Sequence, residues 1–308
     1  MHAKTLLTLA ALSLVAASQA QYLLIPNSGR DQVWQVSAFD GSIISQNFIQ
    51  DTTLTTPNHA IASGRGTIFV SDQILDSVRE YDLNGNYLGD VAGAAQGLDN
   101  IRGIAVRNGE LYVTVAGGAL TNTIQKFNLT TNQQSTWATL PSGSSSPWAL
   151  HVRANDVLVS ESGGDDIIRY DFNGTFLNRF YDSPGTNDLN FPEQIAETTT
   201  GDIYVAGFSL PTALYKFNAS GTKTGTFPIN TGLRGVYELG NGKILWTAGT
   251  RFGTFDPATN QFTDIYSNPT TDSFRFISYV PAVPEPATMT AMGLGLLAML
   301  RRRNRQRG

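Results

Sequence analysis

Six residues recur at intervals of 41–46 positions and could together form a binding site: His59, Arg102, Trp148, Glu193, Arg234 and Arg275. Each stands just before the small-residue position of a short repeating segment. Three arginines can grip a carboxylate or phosphate through paired N–H donors. Trp148 offers a face for stacking. His59 with Glu193 or Asp72 has the composition of a base and its orienter. Asp72 and Glu161 end neighbouring segments and should bring further carboxylates to the same place. The chemistry this set suggests is capture of an anionic or sugar-like ligand. The alternative is internal pairing, Glu193 with an arginine for example, which would only solvate the surface.

The elements that must position these residues are strands. One apolar segment recurs as Thr67–Asp72, Glu110–Val115, Asp156–Glu161, Asp202–Gly207 and Lys243–Ala248, with Gln21–Pro26 as a sixth copy. Its β-branched, aromatic and nearly continuous apolar character fits a strand covered on both faces. About ten residues later an alternating segment follows, in Ser77–Asp82, Thr123–Asn128, Asp166–Asp171 and Ala213–Asn218, with weaker copies at Gln32–Val36 and Arg251–Asp256. Turn pairs come next (Asp40-Gly41, Asn84-Gly85, Asn173-Gly174, Ser220-Gly221) and lead by hairpin into an outer strand. Ahead of the apolar segment stands a third one, Ala60–Ala62, Gly103–Ala105, Ala149–His151, Gln194–Ala196 and Gly235–Tyr237. Small residues there would let an innermost strand lie close to an axis.

Four strands per repeat make one propeller blade. The first copy begins at Gln21 without an innermost strand, and Phe274–Val280 is an innermost strand with no blade after it. Joining the two gives a sixth blade, so the expected fold is an all-β, six-bladed propeller over residues 21–282. A ring closed by its own ends leaves no bare interface, which implies a monomer. The six recurring residues should then surround one mouth of the axial channel.

The units resemble the NHL family of propellers. Gly103-Ile104-Ala105-Val106, Leu111-Tyr112-Val113-Thr114 and Ile124-Gln125-Lys126-Phe127 carry the likeness most clearly. It implies the fold strongly and the activity weakly, because propellers host unrelated functions. Similarity to NHL-like lyases and to six-bladed lactonases implies an enzyme reading with a divalent metal on the axis. Of the ligands such a site needs, only Asn58, Asp72, Glu161 and Glu193 are candidates, and no complete set can be read from spacing. Gly163-Gly164-Asp165-Asp166 is either a Ca²⁺-binding loop or a tight turn. Asp82-Leu83-Asn84-Gly85 and Asp171-Phe172-Asn173-Gly174 read as hairpin turns. His151 lies deeper on its strand and is expected to be a hydrogen-bonded core residue.

Composition limits the partners. The chain has no cysteine, which excludes disulfides and a thiolate nucleophile. Setting aside Lys4, five C-terminal arginines and Glu285 from 21 basic and 25 acidic residues leaves 15 against 24, a net charge near −9. Such a body has no electrostatic footprint for nucleic acid or for an anionic lipid surface.

The two ends say where the chain goes. Residues 1–20 read as a signal peptide: Lys4, the apolar run Leu6–Ala16, then Ser18-Gln19-Ala20, with signal peptidase expected to cut before Gln21. At the other end Pro284-Glu285-Pro286 is followed by an apolar run, 287–300, and a basic end that includes Arg301, Arg302 and Arg303. The two prolines hold this motif extended and accessible. As a helix the apolar run would measure roughly 21 Å, short of a hydrocarbon core of about 30 Å, a gap that snorkelling arginines can close. The order of these parts resembles the PEP-CTERM sorting tail of Gram-negative bacteria. That resemblance implies processing by exosortase, transient anchoring in the inner membrane, and release to the cell surface or an exopolysaccharide matrix. There the propeller would bind a glycan or a surface protein. The mature protein is therefore expected to lack Arg301 to Gly308. Intact mass of the released form checks this, and full-length material ending in Gly308 would mean a permanent anchor instead.

Overall fold

The computed structural model describes residues 21–185 and 187–281. The expected signal segment 1–20 and the tail 283–308 lie outside the described residues. Among the described residues no helix is long and apolar enough to cross a membrane.

Gln21–Pro281 form one compact unit of six four-stranded sheets. Blade 1 spans 57–92, blade 2 101–139, blade 3 147–181, blade 4 192–228 and blade 5 233–267. Within each, successive strands pair antiparallel, innermost strand first. Blade 6 is made from both ends of the unit. Its innermost strand is Ser278–Val280, which pairs with Tyr22–Asn27 at Tyr22↔Val280 and Leu24↔Ser278. The closing strand is shorter than the expected Phe274–Val280, because the chain from 274 to 277 keeps only a single bridge, Phe274↔Asn27.

Each pair of neighbouring blades shares one buried apolar cluster. Blades 1 and 2 meet through Phe69, Val78, Ile104 and Val113, and blades 6 and 1 through Leu24, Val33, Ile68 and Tyr81. The apolar second strands are the common wall, which explains why they read as continuous hydrophobic runs. The hairpin glycines have a specific reason. Gly85 has φ +85°, and a Cβ on it would lie 2.2 Å from the Phe48 carbonyl oxygen of the preceding blade. Asp82 closes the same turn by accepting from the Asn84 and Asn86 N–H groups.

The blades are also linked around the axis. Hydroxyls on the second strands donate to carbonyls of the next blade: Ser71 to Arg102 at 2.6 Å, Thr114 to Trp148 at 3.2 Å, Ser160 to Glu193 at 2.6 Å and Thr247 to Arg275 at 2.5 Å. Backbone approach is so close that a Cβ on Gly103 would meet the Trp148 oxygen at 2.4 Å.

Three blades replace the small residue expected here with a large one, and those three side chains fill the axis. Gln194 accepts from the Val236 and Ile277 N–H groups and donates to the Ile277 carbonyl, joining blades 4, 5 and 6. Phe276 of blade 6 packs on Trp148 and Ala149 of blade 3, across the axis. His59 of blade 1 accepts from the Ile104 N–H at Nδ1 and lies 2.6 Å from Ser278 Oγ at Nε2. The first bond requires an unprotonated Nδ1, so the imidazole is neutral and Nε2 donates. His59 is thus a fastener between blades, which corrects its expected place in the mouth.

Two outcomes follow from the filled axis. Gln194→Leu removes three hydrogen bonds to buried backbone at nearly constant volume, and each orphaned group is worth about 1–3 kcal/mol. Chemical denaturation should show a loss of several kcal/mol. For His59, burial lowers the pKa from 6.5 to about 3. As the pH falls below 6.5 the unfolded chain binds this proton and the native state does not. Native stability should therefore decline towards pH 3 at roughly 1.4 kcal/mol per pH unit from this group. Urea unfolding at pH 7 and pH 5 should give a smaller acid loss for His59→Gln than for the unaltered protein.

Candidate functional site

Strand register decides which residues face one another. A bulge interrupts each of the five complete innermost strands near its start, between Pro57 and His59, Ile101 and Ile104, Pro147 and Leu150, Pro192 and Ile195, and Leu233 and Gly235. The hydroxyl on the second strand then receives an equivalent N–H in each of three blades: His59 N to Ser71, Gly103 N to Thr114 and Ala149 N to Ser160. His59 is therefore equivalent to Gly103 and Ala149. The residue equivalent to Arg102, Trp148, Glu193, Arg234 and Arg275 is Asn58. Sequence reading placed the ring one residue late in blade 1, because His59 stands where the other blades suggested a small residue.

The corrected ring is a desolvated charge cluster. Glu193 is fully buried and its Oε1 accepts from Arg234 Nη1 at 2.8 Å. Burial raises the Glu193 pKa, while Arg234, Arg275 and Arg102 pull it down. Burial lowers the Arg102 pKa to about 10, and Glu193 opposes that. Arg275 is likewise lowered to about 10 by burial, with a further push from Arg234. The structure brings Arg102, Glu193, Arg234 and Arg275 of the expected set close enough to influence one another. Internal pairing accounts for only part of it. Arg102 donates to Ser146 Oγ and Arg275 to Ser28 Oγ, so neither is held by a carboxylate. Glu193 Oε2, Arg102 Nε, Arg234 Nε and both amide atoms of Asn58 are buried without a hydrogen-bond partner. Most buried polar atoms have a partner in the protein or in ordered water, so each one without a protein partner needs an explanation.

An aromatic arc runs along one side. The Arg102 guanidinium sits 3.8 Å over the Trp148 ring. Trp148 meets Phe191 at 5.1 Å, and Phe191 meets Phe208 at 5.3 Å. The Arg234 guanidinium closes the arc, 4.2 Å over Phe208. Phe191 holds φ +55°, a left-handed conformation unfavourable for a bulky side chain. Its N–H donates to Asp165 at 2.8 Å and its carbonyl accepts from Phe208, so surrounding bonds impose the geometry. The sequence pattern missed Phe191 and Phe208, since both precede or follow strands and belong to no repeating segment.

Asp72 and Glu161 are not part of the ring. The Asp72 carboxylate accepts from the N–H groups of Thr55, Thr56, Ile74 and Leu75. Glu161 accepts from those of Ser145, Gly163, Gly164 and Asp166. Both occupy the same register position, ending a second strand, and pin the loops at the mouth end. The carboxylates of 163–166 are similarly engaged, Asp165 with Phe191 and Asp166 with Arg179 and Ser183. The segment bends sharply after the second strand. The set Asn58, Asp72, Glu161 and Glu193 is therefore not assembled as metal ligands, and no group of three His, Asp or Glu side chains suited to a metal occurs among the described residues. His151 is not a hydrogen-bonded core residue either. It is half-buried, 3.8 Å from Glu197 of the next blade, with Nε2 unpartnered.

Comparison with known proteins adds to this geometry. Residues 282–305 match the PEP-CTERM protein-sorting motif. No curated protein sequence matches the chain. The nidogen/laminin complex structure contains a chain with a TM-score of 0.71 and 12% identity, covering 86% of this chain and 99% of that one. A protein of unknown function from Bacteroides caccae follows at 0.62 and 15%, covering 85% and 99%. Virginiamycin B lyase from Staphylococcus aureus gives 0.55 and 18%, covering 70% of each chain. At such identities the likeness is one of fold alone. The chain is a six-bladed β-propeller that carries a PEP-CTERM protein-sorting motif at its C-terminus, and the motif implies export and sorting by exosortase.

Proposed function

We propose that the protein is a non-enzymatic binding module, delivered to the cell surface or extracellular matrix of a Gram-negative bacterium, that captures an anionic ligand at the axial mouth. The observation that carries this reading is the imbalance within the ring. Three buried or half-buried guanidiniums face one carboxylate, and that carboxylate is paired with Arg234. The site is thus an island of positive charge in a body near −9, and bringing an anion there offsets the desolvation of Arg102 and Arg275.

The position of the chain ends supports display. Tyr22 and Val280 lie side by side at the ends of their strands remote from Asn27 and Phe274. The described chain therefore enters and leaves the ring at the end of blade 6 remote from the mouth. An enzyme reading finds less support. His59 is neutral, buried and bonded at both nitrogens, and Glu193 lies among arginines with no metal-ligand partners. Propellers of the same fold include one in a nidogen/laminin complex and one named a lyase, so fold does not choose between binding and catalysis.

Arg102→Ala and Arg275→Ala should each weaken binding of an acidic exopolysaccharide at least tenfold, or about 1.4 kcal/mol. Binding should also fall as salt rises. Calorimetry on the purified protein checks both. Metal-dependent turnover of the polymer, abolished by Glu193→Gln, would replace this reading with a hydrolase or lyase.

A further inference from the structure

The ring also indicates what kind of anion fits. We infer that the mouth takes an acidic monosaccharide unit, a sugar ring bearing one carboxylate, presented as a free residue or as the end of a chain. This rests on the anion-binding reading above and narrows it.

Three observations lead to it. First, an anion alone does not satisfy the site. Glu193 Oε2 is a fully buried acceptor with no donor. Asn58 is fully buried with both its donor and its acceptor unpaired, and it occupies the ring register. Such atoms call for hydroxyl groups, which donate and accept. A fatty acid or an aromatic acid has none to offer. Second, the arc of Trp148, Phe191 and Phe208 presents aromatic faces beside Arg102 and Arg234. A pyranose has an apolar C–H face that suits such a wall, and its hydroxyls point to the sides. Third, His59, Gln194 and Phe276 fill the axis below the ring. A polymer cannot thread through the ring, so a chain would engage the mouth by its end or by one unit.

The carboxylate is preferred over phosphate because Glu193 belongs to the ring. A phosphate monoester carries about −1.5 to −2 near pH 7, and would place that charge beside a buried carboxylate. A single negative charge balances Arg102 and Arg275 with less repulsion.

The test uses calorimetry on the full chain purified in detergent, with galacturonic acid, galactose, benzoate and glucose 6-phosphate as probes. Galacturonic acid should bind at least tenfold more tightly than each of the other three. Asn58→Ala should weaken galacturonic acid by a similar factor and benzoate by much less, so that the preference between the two narrows. Trp148→Ala should weaken galacturonic acid and galactose together. Near-ultraviolet circular dichroism reports whether each variant keeps its fold, and Asn58→Ser serves if the alanine variant does not. Equal binding of benzoate and galacturonic acid would overturn the role of the hydroxyls, yet leave the anion site standing. Tighter binding of glucose 6-phosphate would overturn the choice of carboxylate. Equal binding of galactose would overturn the need for charge. No binding of any probe, in a protein that still binds acidic polymer through Arg102 and Arg275, would overturn the fit to a terminal unit. Loss of polymer binding as well would bring down both readings.

Discussion

Six innermost strands crowd around one axis, and at Gly103 and Gly235 the neighbouring backbone leaves no room for a Cβ. Several polar groups there are satisfied from a neighbouring blade. Four hydroxyls that donate across blades, from Ser71, Thr114, Ser160 and Thr247, answer that need. Gln194 and His59 answer it with side chains that bridge to nearby blades. The carbonyls that receive the hydroxyls belong to Arg102, Trp148, Glu193 and Arg275. The bonds that join these blades therefore also tie the backbone of four ring residues. Packing and site geometry cannot be altered independently in this molecule.

The same crowding makes the mouth chemically unusual. Charges set on strands this close together are stripped of water, and burial pushes Glu193 up and Arg102 and Arg275 down. All three move towards their neutral forms, as low-dielectric surroundings demand. A surface ring of the same residues would be solvated and indifferent to a ligand. Here a bound anion would supply stabilisation that water cannot. The left-handed Phe191, held by Asp165, shows that the loops too are constrained to present a wall.

The fold was legible because each blade repeats the same physical problem. An apolar strand buried on both faces, an alternating strand and a Gly turn recur with the period of the blade. Closure was legible because the two incomplete units at the ends complement each other. Register was not. A bulge adds one residue near the start of the innermost strand, and the eye aligns repeats on the small residue after it. In blade 1 that position holds His59, so alignment slipped and Asn58 was passed over as a ring member. The hydroxyl preceding each strand end, in Ser71-Asp72, Thr114-Val115, Ser160-Glu161 and Thr247-Ala248, repeats in the sequence and would have set the register. Asp72 and Glu161 looked like site carboxylates because they end strands at the mouth. Only the structure shows their oxygens filled by backbone N–H groups. The aromatic arc was invisible for a different reason: Phe191 and Phe208 come together across a loop connection that no spacing rule describes.

Closure and sorting make compatible demands on the C-terminus. The last strand of the ring ends at Val280, and the sorting motif begins at residue 282. The ring cannot close until that strand has been made, because Tyr22–Asn27 has no other partner on its inner side. Processing at or beyond Pro284-Glu285-Pro286 would leave every described strand, inter-blade bond and ring residue in place. Had the motif overlapped Phe274–Val280, release would have opened blade 6 and freed Arg275 and Phe276 from the axis. A propeller closed by a strand this near a C-terminal sorting motif keeps its fold after processing only if the cut falls beyond the final strand, and in this chain that strand ends at Val280, ahead of the motif.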